Sequence, residues 1–254
     1  MGKKIIAVIP ARYESSRLHG KPLLDINGKP MIWWVYQEAK KVTEYFDVIV
    51  ATESNEVVTV CNKYDMKVML TSKNHETGTD RVAEIAQNIE ADLYVIIMGD
   101  EPLISYKEQE KLIEVATEIN DIDAIMLVNK IKDPLQTANS TIIKLAINDN
   151  GYLIFMTRSP IPYPKGAVGY PLFKNMGCYA LKKEALDFFL KTKPGNIEHA
   201  EGIELLRLLE NHKKIMTVLV DSEAISVDTA KDLEVVSLKM AQKKERSFND
   251  IEFR

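Results

Sequence analysis

Between Pro10 and Leu23 the chain sets three cations, Arg12, Arg17 and Lys21, among two hydroxyls, Ser15 and Ser16, and one glycine, Gly20. Guanidinium forks grip phosphate oxygens in pairs, a lysine ammonium adds a point charge, and loop N–H groups supply further donors. That set suits a polyanion of the triphosphate kind. Its acidic counterpart lies downstream, where Asp100 follows an apolar run in the turn Met98-Gly99-Asp100-Glu101-Pro102. Gly99 lets the backbone approach a ligand closely, and a carboxylate opposite a cationic loop is placed to hold Mg²⁺. A helix N-cap is the other use of such an aspartate; the strand-end position favours the metal. Asp228, in Val227-Asp228-Thr229-Ala230, reads by itself as the cap of a last helix. Asp80, in Thr77-Gly78-Thr79-Asp80-Arg81, reads as a helix start or as a nucleotide-binding turn.

These residues need a frame that brings distant loops together. Residues 5–9 are an apolar run closed by Pro10, which reads as a buried strand feeding the cationic loop. Further apolar strands are predicted at 47–52, 67–71 and 93–98, alternating with helices from Pro30 toward Val42, at 55–64 and at 80–88. Fully apolar strands alternating with helices predict an α/β fold with a mainly parallel, doubly wound sheet. Ligands of such sheets lie beyond the strands' carboxyl ends, where both the cationic loop and Asp100 fall. From 125 onward the apolar pattern alternates more, with turns at Asp149-Asn150-Gly151 and in the proline-rich stretch 160–166. A smaller antiparallel insertion layer is therefore expected over about 125–181. A strand at 175–181, helices at 182–191 and 201–210, a strand at 215–220 and a last helix from Ala230 to about 242 complete the reading, with a frayed polar tail from 243. No composition break divides the chain, so residues 1–254 are expected to form one domain.

Composition narrows the chemistry. An apolar fraction of 46% with 28% charged residues is that of a soluble globular protein. A formal net charge of −4 argues against nucleic-acid binding through a general basic surface. Two distant cysteines, Cys61 and Cys178, form no disulfide framework and point to a reducing, cytoplasmic compartment. No run approaches a membrane span, and the four histidines show no zinc-ligand spacing.

Taken in order, the motifs Ile9-Pro10-Ala11-Arg12-Tyr13-Glu14-Ser15-Ser16-Arg17-Leu18-His19-Gly20-Lys21-Pro22-Leu23, Ile26-Asn27-Gly28-Lys29-Pro30, Val50-Ala51-Thr52, Thr77-Gly78-Thr79-Asp80-Arg81, Gly99-Asp100-Glu101-Pro102, Arg158 with Ile161-Pro162, and Val227-Asp228-Thr229 resemble the 3-deoxy-manno-octulosonate (Kdo) cytidylyltransferases over nearly the whole chain. The resemblance implies a nucleotidyltransferase, Rossmann-like sheet whose insertion layer pairs two copies as a homodimer. It implies that CTP and an acidic acceptor give a CMP conjugate and pyrophosphate, with Mg²⁺, for surface polysaccharide synthesis. By that likeness Arg12, Ser15, Ser16 and Lys21 hold the triphosphate, and Asp100 and Asp228 hold the metal, which overrides the cap reading of Asp228. Thr52, Ser72, Gly78, Thr79 and Arg81 line the cytidine side. Arg158, Asn175, Tyr179 and Glu204 face the acceptor. Arg12, Lys21, Asp100 and Asp228 carry the catalysis.

The acceptor half departs from that pattern. Family members acting on Kdo carry a histidine where this chain has Asn175, a glutamine where it has Met98, and a Glu-Gln pair where it has Glu204-Leu205. A different anionic acceptor, such as a phosphonate or phosphate, is therefore a second expectation, and a non-catalytic nucleotide-binding protein a third.

Overall fold

The computed structural model describes residues 2–14, 18–163, 165–166 and 169–252, with the side chains of the last helix described through Lys243. Ser15, Ser16 and Arg17 lie outside the described residues. The elements run β1 (Ile5–Pro10), β2 (Asp25–Ile26), β3 (Lys29–Pro30), α1 (Met31–Ala39), β4 (Tyr45–Thr52), α2 (Asn55–Lys63), β5 (Val68–Leu70), α3 (Gly78–Asn88), β6 (Leu93–Ile97), α4 (Tyr106–Glu118) and β7 (Ala124–Lys130). They continue with β8 (Lys144–Ile147), β9 (Leu153–Thr157), β10 (Phe173–Leu181), α5 (Lys183–Lys191), α6 (Asn196–Glu201), α7 (Leu206–Glu210), β11 (Ile215–Val220) and α8 (Ala230–Glu252).

The main sheet has the order β11-β7-β10-β6-β1-β4-β5. The pairs β1–β4, β1–β6, β4–β5 and β11–β7 are parallel, whereas β10 runs antiparallel to both its neighbours. All six residues of β1 are buried, and they alternate between two cores. Ile5, Ala7 and Ile9 pack with α1, α2 and α4; Ile6 and Val8 pack with α3, α5 and α7. A strand buried on both faces must be apolar throughout, which is why its run was so legible.

The structure departs from the expected organisation in four places. Residues 124–130 and 173–181 belong to the main sheet, and the β8–β9 hairpin is what branches from it, through the start of β10. Helix α4 was not anticipated; Ser105 caps it, with its N–H donating to Glu108 at 2.7 Å. The helix expected at 201–210 is broken, because Gly202 adopts a left-handed conformation (φ 61°) that ends α6. The last helix also runs on through the stretch expected to fray, to Glu252.

One buried cluster ties the two halves of the chain. Arg207, 2% exposed, donates to both oxygens of Glu198 at 2.9 and 2.7 Å and to Asp80 Oδ1 at 3.0 Å. It thereby joins α7 to α6 and to the first turn of α3. Arg207→Met leaves the buried Glu198 carboxylate without its cation, takes one partner from Asp80, and is expected to cost about 3–5 kcal/mol. Denaturant midpoints measure this, and pairing it with Glu198→Gln should recover part of the loss.

Candidate active site

The carboxyl ends of β1 and β6 lie side by side where the connections leave in opposite directions, the place an open parallel sheet offers a ligand. A cleft of about 1060 Å³ opens there. Close backbone approach forms its floor: a Cβ at Gly99 would stand 2.9 Å from the Pro10 carbonyl oxygen. The turn after β6 is therefore pressed against the end of β1, and Asp100 projects into the cleft beside the cationic loop.

Lys21 comes from the same loop. Gly20, left-handed at φ 63° and backed by the Tyr13 ring, turns the chain so that Lys21 opens a short 3₁₀ turn. Its Nζ donates to Asp100 Oδ2 at 2.5 Å and to Asp228 Oδ1 at 3.2 Å. Burial opposes its charge, but the two carboxylates outweigh burial and hold the ammonium above its ordinary pKa. Thr229 takes the cap of the last helix: the Thr229 N–H donates to Asp232 at 2.8 Å, and Thr229 Oγ1 accepts from the Asp232 N–H at 3.3 Å. Asp100 caps nothing, since Ser105 starts α4.

Two carboxylates that converge on one cationic atom are a fitting donor set for Mg²⁺, which binds one or two carboxylates and completes its shell with phosphate and water. No group of three or more His, Cys, Asp or Glu suited to a metal occurs among the described residues, so the remaining ligands would come from substrate and water.

Arg12 is exposed at the cleft and donates to the Glu76 carbonyl at 2.8 Å, beside Gly78. Gly78 starts α3 with a Cβ position 3.3 Å from Pro10, so the helix end abuts β1. Asp80 closes a capping box with Thr77, so that turn starts a helix, with Thr77 and Gly78 at the cleft. Thr52, Ser72, Thr79 and Arg81 do not line the cleft. Thr52 and Thr79 are fully buried, and Arg81 reaches Thr71 Oγ1 at 2.9 Å, the Ser72 carbonyl at 3.0 Å and Glu53 at 2.7 Å. The polar groups of Thr52 and Arg81 are turned to neighbouring segments, and Thr79 to Glu204.

Residues 6–215 match the cytidylyltransferase family. A 3-deoxy-manno-octulosonate cytidylyltransferase of Chloroherpeton thalassium is 36% identical, the match covering 94% of this chain and 99% of that protein. Its Escherichia coli namesake is 37% identical over 94% of this chain and 97% of its own length. A CMP:2-keto-3-deoxy-manno-octonic acid synthetase solved in complex with CTP superposes with a TM-score of 0.89 at 37% identity, covering 94% of this chain and 99% of that one. The chain belongs to the cytidylyltransferase family. It is a CTP-using nucleotidyltransferase.

The cytidylyltransferase cleft continues past Met98 into a half lined by Arg158, Asn175, Tyr179 and Glu204. Glu204 is the anchor, accepting from the Thr79 N–H at 3.0 Å, Thr79 Oγ1 at 2.8 Å and Tyr179 OH at 2.7 Å. Burial and Glu204 together push the Tyr179 phenol far above its ordinary pKa, so it stays a donor. Arg158 donates to the carbonyls of Glu201, Ser140 and Gly202 at 2.8, 3.0 and 3.3 Å, stapling α6 to the hairpin. Asn175 Oδ1 accepts from the Gly177 N–H at 3.2 Å. These polar groups hold the wall together as well as facing the cleft.

Sequence reasoning passed over Glu101 and Lys174, which also line the cleft. Glu101 was visible in the Gly-Asp-Glu-Pro turn; its burial was not. Both thiols are fully buried, with Cys61 pushed up to about 12 by burial and Cys178 raised further by burial and nearby carboxylates. Neither is a nucleophile. A chromogenic disulfide reagent at pH 8 should label neither cysteine in the native protein and both in denaturant.

Proposed function

We propose that the chain transfers CMP from CTP to 3-deoxy-manno-octulosonate or a closely related acidic sugar, releasing pyrophosphate. The observation that carries this reading is the convergence of Asp100 and Asp228 on one cation at the floor of the cleft. The family match and the names of its relatives support the donor and the acceptor.

Arg12, Ser15, Ser16 and Lys21 receive the triphosphate. An acceptor oxygen attacks the α-phosphorus in line, and the bond to pyrophosphate breaks on the opposite side. A Mg²⁺ bound to Asp100 and Asp228 would neutralise charge on the phosphates. Most of the rate in such transfers comes from positioning and charge neutralisation. Lys21 Nζ stands between the same carboxylates, so it leaves them for the phosphates as the nucleotide arrives. On the acceptor side, Glu204 presents an anion that accepts from hydroxyls, and Arg158 adds positive charge for a carboxylate.

The homodimer expected from the sequence has support in the β8–β9 hairpin. Among the described residues strand β9 pairs with β8 alone, and Ile154 on it is 61% exposed. Light scattering of the purified chain tests the pairing.

With CTP, Mg²⁺ and Kdo the protein should release pyrophosphate, and Asp100→Asn should lower turnover by about 10²–10³-fold while the folded state persists. Turnover with a phosphonate or phosphate acceptor and none with acidic sugars would overturn the acceptor while leaving cytidylyl transfer intact. Lys21→Met should bind Mn²⁺ without nucleotide at least about tenfold more tightly than the unaltered protein, read by electron paramagnetic resonance. Equal affinities would show that Lys21 does not occupy the metal position.

A further inference from the structure

Glu101, 4% exposed, is a buried carboxylate along this cleft, as Glu198 is on its far side. Its Oε1 accepts a close hydrogen bond from Ser226 Oγ. On its other side it presses on Gly177, where an added Cβ would lie 2.7 Å from Oε1 and 2.8 Å from Cγ. Gly177 is left-handed (φ 62°) and sits in a bulge of β10, between the pairings Asn175↔Val128 and Tyr179↔Met126. Its carbonyl accepts from the Met98 N–H at 2.9 Å, which binds the bulge to the turn that carries Asp100. Glu101 is thus wedged between a bulge shaped to admit it and the loop that carries Asp228.

The covalent neighbours of this contact give it consequence. Glu101 follows Asp100, and Ser226 stands two residues before Asp228. A parallel backbone tie runs beside it, the Val227 N–H donating to the Asp100 carbonyl at 2.9 Å. Two ties, one of side chains and one of backbone, join the loops that present the aspartates. Mg²⁺ accepts ligands only at about 2.0–2.1 Å in near-octahedral array, so two carboxylates that share it have little freedom in their separation.

We infer that Glu101 is a positioning residue, which sets the separation of Asp100 and Asp228 through its bond to Ser226 and its seat against Gly177. The inference rests on the assignment of those aspartates to a metal. Glu101 acts through the aspartates: it keeps Asp228 from swinging away with its loop when Lys21 departs.

The test is Mn²⁺ affinity of the CTP-bound protein by electron paramagnetic resonance, together with the Mg²⁺ concentration for half-maximal rate and CTP affinity measured in chelator. Glu101→Ala and Ser226→Ala should each weaken metal binding about tenfold or more, with CTP affinity in chelator unchanged. Glu101→Gln keeps an oxygen acceptor at the same reach and should stay near the original affinity. Glu101→Ala combined with Ser226→Ala should cost no more than either alone, since both remove one tie. Unchanged metal affinity in Ser226→Ala, or a loss in Glu101→Gln as large as in Ser226→Ala, would overturn the inference even if Glu101→Ala fails to fold. If Asp100→Asn and Asp228→Asn leave Mn²⁺ binding intact, the metal assignment itself fails, and the role of Glu101 falls with it.

Discussion

The contact between the Lys21 ammonium and the carboxylates of Asp100 and Asp228 is the constraint around which the site is built. Two carboxylates brought together in a half-enclosed cleft repel one another and resist ionising unless a cation lies between them. The free protein supplies that cation from its own first loop. On the proposed reading, the same geometry would give the aspartates to a divalent ion once a triphosphate offers Lys21 another anion to meet. One arrangement thus serves the stability of the empty site and the chemistry of the filled one.

Meeting that constraint requires three segments remote in sequence to end at one point. Parallel strands β1 and β6 bring the cationic loop and the Asp100 turn side by side because their carboxyl ends share an edge. The Asp228 loop arrives from β11, on the far side of the sheet, and needs separate anchoring. Val227 supplies it, fully buried with Ile26, Met31 and Val236 in a small core beneath the cleft. Gly99 and Gly177 allow the close approaches that side chains would block. The half of the cleft past Met98 uses another device, in which Glu204 and Arg158 spend hydrogen bonds on neighbouring backbone and side chains and so hold the far wall at a set distance.

What the sequence disclosed and concealed follows from how far each feature depends on contacts distant along the chain. The run at 5–9 announced a strand buried on both faces, and the apolar stretch before Gly99 placed Asp100 at a strand end. Asp228 read as a cap in isolation, because its neighbours fit one; only the likeness to a family redirected it, and the structure has Thr229 doing the capping. The family likeness turns Thr52 and Arg81 toward a ligand, yet the Arg81 partners Thr71, Ser72 and Glu53 lie on adjoining segments and draw the guanidinium inward, and Thr52 Oγ1 accepts from the Ser54 N–H. Glu101 was hidden for the same reason. Nothing local says that the glutamate beside Asp100 is buried against a glycine in a strand far along the chain. Helix α4 escaped notice because its apolar positions are few and spaced by charge, and its cap, Ser105, stands just after the Asp100 turn.

A structure of the protein with CTP and Mn²⁺ tests the central claim most directly. The account predicts one cation coordinated by both Asp100 and Asp228, with Lys21 Nζ moved onto the phosphates. Nucleotide bound in the cleft with Lys21 still between the two aspartates, and the cation held elsewhere, would contradict it.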